Sequence, residues 1–402
     1  MLNWAQQFNI FCFLDNQHYQ FAPHTYDCLL GAGAASHVQG GYDTFKHLDA
    51  FVAGSWAFGH FSYELLHTLY KIKSSKEEAI GFPQSFFFKP QVVLYIRENI
   101  LYIEAENPDA VYKELLAWTF EKVAPPPVLH MQPQFTKDEY IRHIRQLQQH
   151  ILRGDCYEIN FCQAFSAPDA VISPLHVFQN LMSFSPNPFS ALYKWNEAYL
   201  ICASPERFLA KQGKKLIAQP IKGTARRSAD AAEDALLKSS LTNVKERAEN
   251  VMIVDLMRND LSKICAPGSV AVDELFGLYS FPQVHQLIST ISGQVKENVR
   301  FSEIIEATFP MGSMTGAPKQ RVLELIETYE PTARGIFSGS VGYISPDGDF
   351  DFNVVIRSIM YNSAKRYLSY QVGSGITFYS NAEQEWEECL LKASAIKKVL
   401  TI

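Results

Sequence analysis

The chain has 402 residues, 47% of them hydrophobic, with a formal net charge of −6 and a pI near 6.0. That length suits two or three ordinary domains, or one large domain carrying a lobe. The acidic balance argues against broad nucleic-acid binding, which needs a basic face, and no run of ~18 apolar residues offers a membrane span.

Seven cysteines, at 12, 28, 156, 162, 202, 265 and 389, are scattered without a Cys-x-x-Cys pair. This pattern reads as reduced, buried thiols in a cytoplasmic protein without a zinc site. Met1–Gln7 lacks the basic start and long apolar run of a signal peptide.

In chain order, Phe8–Leu14, Phe86–Ile96 and Ile100–Ala105 are aromatic and β-branched, as strands are, and Arg97-Glu98-Asn99 makes a hairpin turn of the last two. Gly31–Ser36 has the small residues of a dinucleotide loop but lacks its third glycine, so a tight turn is expected there. A helix is expected over Pro108–Glu121. Ala124-Pro125-Pro126-Pro127 is a stiff break, placing a β-rich lobe at 1–124 and a second region at 125–402.

Thr136 and Glu139 form a capping-box pattern ahead of Tyr140, Ile144, Leu147 and Ile151, which share a helix face. Strands are expected over Tyr157–Ala167, Phe189–Trp195 and Tyr199–Ala203. A long helix follows over Leu241–Ile264, a β region over Gly268–Val295, and two helices separated by Met311–Lys319. Three β runs, 337–345, 350–361 and 367–379, lead to a last helix, Ala382–Leu400. Helices and antiparallel-looking runs mix without βαβ alternation, which favours an α+β fold.

Gln219–Arg227 stands out. Lys215–Ala218 reads as a strand that Pro220 ends, and Gly223 lets the backbone bend. Lys222 then sits between strand and turn, beside Thr224, Arg226 and Arg227. This is either an amine aimed into an anionic cleft or a solvated loop.

Glu246 and Glu249 lie three apart on the long helix, and Glu385 and Glu388 lie three apart on the last, each doublet on one helix face. Brought together they make an all-oxygen site suited to Mg²⁺; kept apart they are solvated faces with ion pairs. Asp255, Arg258, Asn259 and Asp260 either brace that helix or pair with each other. His285 in an apolar run is a satisfied core residue or a site residue. The Gly312–Lys319 loop is open to an anion but lacks the Gly-Lys-Ser/Thr ending of a P-loop.

Taken in order, Ala203–Glu206, Pro220–Thr224, Arg247–Asn250, Asp255–Asp260, Phe281–His285, Ser313–Lys319, Gly342-Tyr343, Ile356-Arg357, Gly373–Gly375 and Glu385–Lys392 resemble the chorismate-utilising enzymes. That family includes component I of anthranilate synthase and of aminodeoxychorismate synthase, isochorismate synthase and salicylate synthase. The branch resembled most is component I of aminodeoxychorismate synthase, which carries Pro-Ile-Lys-Gly-Thr; anthranilate synthase, the alternative, usually has alanine where Lys222 stands. A catalytically silent chorismate-binding partner is a further alternative, disfavoured by the presence of Glu206, Glu249 and Glu388.

The resemblance implies an α+β fold of the anthranilate synthase component I type, with large antiparallel sheets in a sandwich and helices packed outside. Residues 125–402 would be the chorismate-binding catalytic domain. It implies Mg²⁺ held by Glu249 and Glu388, with Glu246 and Glu385 behind or bonding through water. Arg357 and Tyr343 would hold the enolpyruvyl carboxylate beside the Gly373, Ser374 and Gly375 amides. Glu206 would protonate the departing C4 hydroxyl, and Lys222, made neutral by a lowered pKa, would attack C2. Ammonia would then give 4-amino-4-deoxychorismate, a precursor of p-aminobenzoate and folate. Thr224, His285, Thr315 and Lys392 would line the pocket. Glu158 stands where many relatives have glutamine, and would either pair with a cation or alter the handling of ammonia. No Leu-Leu-Glu-Ser stretch of the kind linked to tryptophan feedback occurs. No Gly-x-Cys-x-Gly nucleophile element occurs either, so ammonia would come from solution or from a separate glutamine amidotransferase subunit.

Overall fold

Strand Ser85–Arg97 is the root from which the sheet grows in two directions. Its Phe86, Phe87, Phe88, Val92, Val93 and Leu94 are all buried, the mark of a strand covered on both faces. The structure, a computed structural model, describes residues 1–19, 23–119, 128–281 and 284–401. Strand Ser85–Arg97 pairs on one side with Cys28–Gln39. On the other side its first half pairs with Ala57–Phe61 and its second half with Ile100–Ala105.

One arm of sheet runs from Cys28–Gln39 through Ile10–Asp15, Phe189–Trp195, Ala198–Ser204, Ser358–Asn362 and Tyr367–Ile376 to Glu158–Ala167. The other runs from Ala57–Phe61 through Ser340–Ile344, Phe350–Asn353, Arg207–Gln212 and Lys215–Gln219 to Val284–Gln294. Ile221–Arg226 and Ala271–Ser280 flank that last strand. Each of these pairings is antiparallel, as expected for the α+β sandwich.

Side chains alternate across the first arm. Cys12, Leu200 and Cys202 fall in one core with Phe58, Phe86, Phe88 and Phe352, between the arms. Their neighbours Phe11, Phe13, Ile201 and Ala203 fall in a second core under Tyr140, Ile144, Leu147, Phe178, Leu181, Ile396 and Val399, the apolar faces of the outer helices. Helices Val244–Ile264 and Phe301–Thr308 cover the second arm with Ile253, Met257, Leu261 and Ile304. No helix among the described residues is long and apolar enough to cross a membrane. All seven cysteines are buried and free.

The break expected at Ala124–Pro127 lies outside the described residues, whereas the helix expected over Pro108–Glu121 is shorter than that: it ends at Ala117, where Trp118 turns extended. Strands from either side of that segment are hydrogen-bonded neighbours: Ile10–Asp15 with Phe189–Trp195, and Ala57–Phe61 with Ser340–Ile344.

The capping box is present, with Thr136 Oγ1 accepting from Glu139 N at 3.3 Å and Glu139 Oε2 accepting from Thr136 N at 2.9 Å. Three expectations are corrected. Gly31–Ser36 is no turn; it is part of strand Cys28–Gln39, with Gly31 in regular pairing and a register shift further on, between Ala34 and Ser36. Lys222 likewise lies within a strand, Ile221–Arg226, because the chain resumes pairing after Pro220. The run 350–361 is broken at Arg357, whose φ of +50° turns the chain out of one strand and into the next.

A buried arginine ties the loop after Phe301–Thr308 to the edge of the first arm. Arg334 donates to Glu330 at 2.7 and 2.8 Å, to Met314 O at 2.7 Å and to Asn160 O at 3.0 Å. Glu330 also accepts from Cys162 N at 2.8 Å. Glu330→Ala strands the guanidinium in the interior and is expected to lower the unfolding free energy by about 3–5 kcal/mol. Urea denaturation reads this as a lowered midpoint; a midpoint equal to that of the parent protein would contradict the role assigned to the pair.

Candidate active site

The chain crosses from one arm to the other at Ser204–Arg207, and again between Asn353 and Ser358. These crossings lie side by side. Val354 N donates to Glu206 O at 3.0 Å, Ala203 N to Arg357 O at 3.2 Å, and Ser204 Oγ to Val354 O at 2.6 Å. Glu206 and Arg357 are thereby fixed at the seam of the sandwich, on backbone that no ladder would otherwise hold.

Glu206 is 5% exposed, and burial pushes its pKa up to about 7 against the opposing pull of Ser313, Lys222 and Arg357. Burial lowers the pKa of the Arg357 guanidinium, with Glu206 and Tyr19 acting the other way.

Lys222 reaches this seam from the far end of the second arm. It forms an ion pair with Glu158, which lies at the far end of the first, and their side chains are 10% and 1% exposed. Burial works to lower the pKa of the Lys222 ammonium. The carboxylates of Glu158, Glu249 and Glu206 outweigh it and leave that pKa above the ordinary lysine value. The neutral amine expected from the sequence is therefore not the resting state, because Glu158 and Glu249 act on the cation and Glu206 joins them where it is ionised.

The glutamate doublets flank the same place. Glu249 acts on Lys222 across the cleft. Glu246 Oε2 lies 2.8 Å from where a Cβ on Gly223 would stand, so the lysine strand passes directly against this helix. On helix Ala382–Lys392, Glu385 is 3% exposed, and Glu388 accepts from Lys392 Nζ at 2.8 Å. Lys392 also donates to Gly373 O at 2.9 Å and feels the charge of Lys222. Among the described residues no three or more His, Cys, Asp or Glu are grouped so as to hold a metal ion. The donors are nevertheless all oxygen, the chemistry Mg²⁺ requires, and Lys222 and Lys392 supply positive charge that offsets Glu249 and Glu388.

Gly373, Ser374 and Gly375 pair with Cys162, Phe161 and Asn160. A Cβ on Gly375 would stand 2.6 Å from Glu158 Oε1 and 3.2 Å from Lys222 Nζ, so glycine is what lets the ion pair sit there. Thr315 is buried and turns back on its own loop, donating to Met311 O at 3.2 Å, while its carbonyl accepts from Asn160 N at 2.7 Å. Thr224 is exposed, opposite Gln286 on the neighbouring strand.

His285 is a satisfied buried histidine. One ring nitrogen meets Ser280 Oγ at 2.9 Å and the other meets Asp234 Oδ1 at 3.0 Å. Asp234 also accepts from Arg227 Nε at 2.9 Å and Ser228 N at 2.8 Å, and these partners hold its carboxyl below the usual range. Asp234 was missed in the sequence because helix Ala231–Ser240 was missed. Its signal was Asp230 followed by Glu233, the start of an N-cap, with Glu233 N donating to Asp230 at 2.8 Å.

Tyr343 lies elsewhere. Its ring packs on Tyr26 at 5.6 Å and Trp56 at 6.1 Å, and it lines a cavity with Asp15, Thr25, Arg207 and Asp351. Strand alternation puts it on the face of Val341, which lines the same cavity, and no described contact joins it to Arg357.

The chain as a whole has counterparts among known proteins. The pattern of the family described as chorismate binding enzyme matches residues 13–398, and the chain belongs to that family. It is 33% identical over 355 residues to an anthranilate synthase component I-like protein of Synechocystis sp., covering 86% of this chain and 73% of the relative. It is 39% identical over 270 residues to aminodeoxychorismate synthase component 1 of Escherichia coli, where the match spans 67% of this chain and only 59% of the relative. The fold is that of anthranilate synthase component I from Streptococcus pneumoniae, with a TM-score of 0.83 at 24% identity over 94% of this chain and 93% of the other.

Helix Ala231–Ser240 buries none of its residues, so its hold on the sheet depends on polar contacts, those of Asp234 with Arg227, Ser228 and His285 and those of Glu233 with Arg226 and Ser228. Asp234→Asn removes the charge from that junction. Amide hydrogen exchange over 231–240 is expected to speed up by roughly ten-fold, corresponding to about 1.4 kcal/mol of local opening; unchanged protection would show that the helix is held by other contacts.

Proposed function

We propose that this chain aminates chorismate to 4-amino-4-deoxychorismate. The observation that carries the reading is Lys222, on Pro220–Thr224, brought against Glu206 at the seam of the sandwich. The naming of relatives as aminodeoxychorismate synthase component 1 supports it.

In this reading Arg357 binds a substrate carboxylate through its planar fork. The Lys222 amine bonds to ring C2, the ring double bonds shift, and the C4 oxygen leaves as water with the proton of Glu206. Ammonia then bonds to C4, the double bonds shift back, and the lysine amine is released with its proton count restored. Glu206 suits the acid's part because burial keeps a large fraction of it protonated near neutrality. Glu249 and Glu388 would hold Mg²⁺, with Glu246 and Glu385 behind them, and the ion would neutralise the ring carboxylate and draw electrons from the ring. A component named as the first of a set suggests a partner, and a glutamine amidotransferase would be the source of ammonia.

Incubation with chorismate, Mg²⁺ and ammonium, followed by product separation, is expected to yield aminodeoxychorismate and no pyruvate. Anthranilate with pyruvate release would move the chain to the anthranilate synthase branch, which the likeness to the Synechocystis protein keeps in view. Turnover is expected to fall as pH rises through about 7, where Glu206 loses its proton. Glu206→Gln is expected to lower turnover by roughly 10²–10⁴-fold, the usual worth of a positioned acid. A variant with the parent's rate and alkaline fall would remove Glu206 from the role.

A further inference from the structure

Glu158 is the residue of the seam to which the proposed chemistry gives no part. Its side chain is 1% exposed, its Oε1 accepts from Lys222 Nζ, and its Oε2 has no hydrogen-bond partner among the described residues. A carboxylate buried this deeply loses its hydration and is destabilised unless a partner offsets the loss. Lys222 is that partner.

The placement is rigid. Gly316, at φ +142°, lies so close that a Cβ there would stand 2.1 Å from Glu158 O. Asn160, two residues on, is held by Ser313 O at 3.1 Å and by Arg334. Gly375 leaves the space the pair occupies. The other charged groups facing Lys222 are committed in the proposed reaction. Glu206, from the crossing, donates a proton to the leaving group; Glu249, from helix Val244–Ile264, is assigned to the metal; Lys392, from helix Ala382–Lys392, is a cation paired with Glu388.

We propose that Glu158 positions the Lys222 amine and accepts its proton, so that the pair, and not solvent, delivers the neutral nucleophile. The assignment rests on the amination reading. Lys222–NH₃⁺ and Glu158–COO⁻ become Lys222–NH₂ and Glu158–COOH; the amine's lone pair then forms the bond to C2 as the C4–O bond breaks. The proton returns from Glu158 to the lysine nitrogen when ammonia has bonded to C4 and the C2–N bond breaks. Because the pair holds one proton throughout, its active form persists across the neutral range.

The test compares the parent with Glu158→Gln and Glu158→Asp, with Mg²⁺ present throughout. The first readout needs no substrate: acetic anhydride labelling of Lys222 against pH, followed by peptide mass spectrometry. Glu158→Gln is expected to move the labelling midpoint to lower pH, since an anion that held the ammonium is gone. The second readout is kcat/KM for chorismate amination against pH. Glu158→Gln is expected to add a limb rising by about ten-fold per pH unit until the first of Lys222 and Glu206 reaches its midpoint, because solvent must now take the proton. Glu158→Asp keeps the parent's profile shape at a lower rate. A labelling midpoint unmoved in Glu158→Gln, or a pH profile parallel to the parent's, overturns the proposal. If the parent makes no aminodeoxychorismate, the amination reading falls, and the labelling series still decides whether Glu158 governs the proton on Lys222. Should Glu158→Gln fail to fold, the labelling midpoint and profile of Glu158→Asp decide: a midpoint and profile shape kept as in the parent support the role, and a newly acquired rising limb overturns it.

Discussion

The two arms of sheet diverge from strand Ser85–Arg97 and meet again at their far ends through the buried Lys222–Glu158 pair. An ion pair is a costly way to close a sandwich, since both groups lose water and apolar residues of the same size would serve stability as well or better. The surroundings are shaped to keep it. Gly375 makes room, Gly316 sets the strand's approach, and the Arg334–Glu330 pair pins the loop that covers Glu158. Structure is spent here on holding charge in place, which is what a site for an anionic substrate requires.

Around this pair the same burial acts in opposite senses. It raises Glu206 to about 7, and it fails to lower Lys222 because carboxylates from three elements surround the ammonium. Both groups therefore hold their protons more tightly than in water, Glu206 as an acid and Lys222 as an ammonium, so the two differ in role by chemical type and by place. The crossings at Ser204–Arg207 and at Arg357 make the division geometric as well. Each brings a charged side chain to the line between the arms, and Arg357 does so in left-handed backbone that the neighbouring hydrogen bonds hold.

Much of this was legible in the sequence wherever the signal was local. Thr136 and Glu139 announced a helix start, and the hairpin at Arg97–Ile100 formed with Glu98 and Asn99 both at positive φ, as a tight hairpin turn needs. The glutamate doublets lie on helices as their spacing implied. What was illegible depends on tertiary context. Gly31–Ser36 reads as a turn because small residues carry no strand signature, yet strands on both sides order Gly31 and Ala32, and strand Ser85–Arg97 orders Ala34 and Ser36. Arg357 breaks a strand without a glycine or proline to mark the place. Tyr343 sits near Arg357 in sequence, but the pleat aims it at Tyr26 and Trp56. The pairing of Glu158 with Lys222 spans 64 residues and two sheet arms, and no local pattern encodes it.

The central claim is that Lys222, caged at the closing point of the sandwich, is the group that bonds to the substrate. The most direct measurement is to mix the chain with chorismate and Mg²⁺ without ammonia, quench with acid, and map adducts by peptide mass spectrometry. The account predicts an adduct of chorismate less one water on the peptide containing Lys222. Chorismate consumed once ammonium is supplied, with no adduct on Lys222 or with an adduct on another residue, would contradict it.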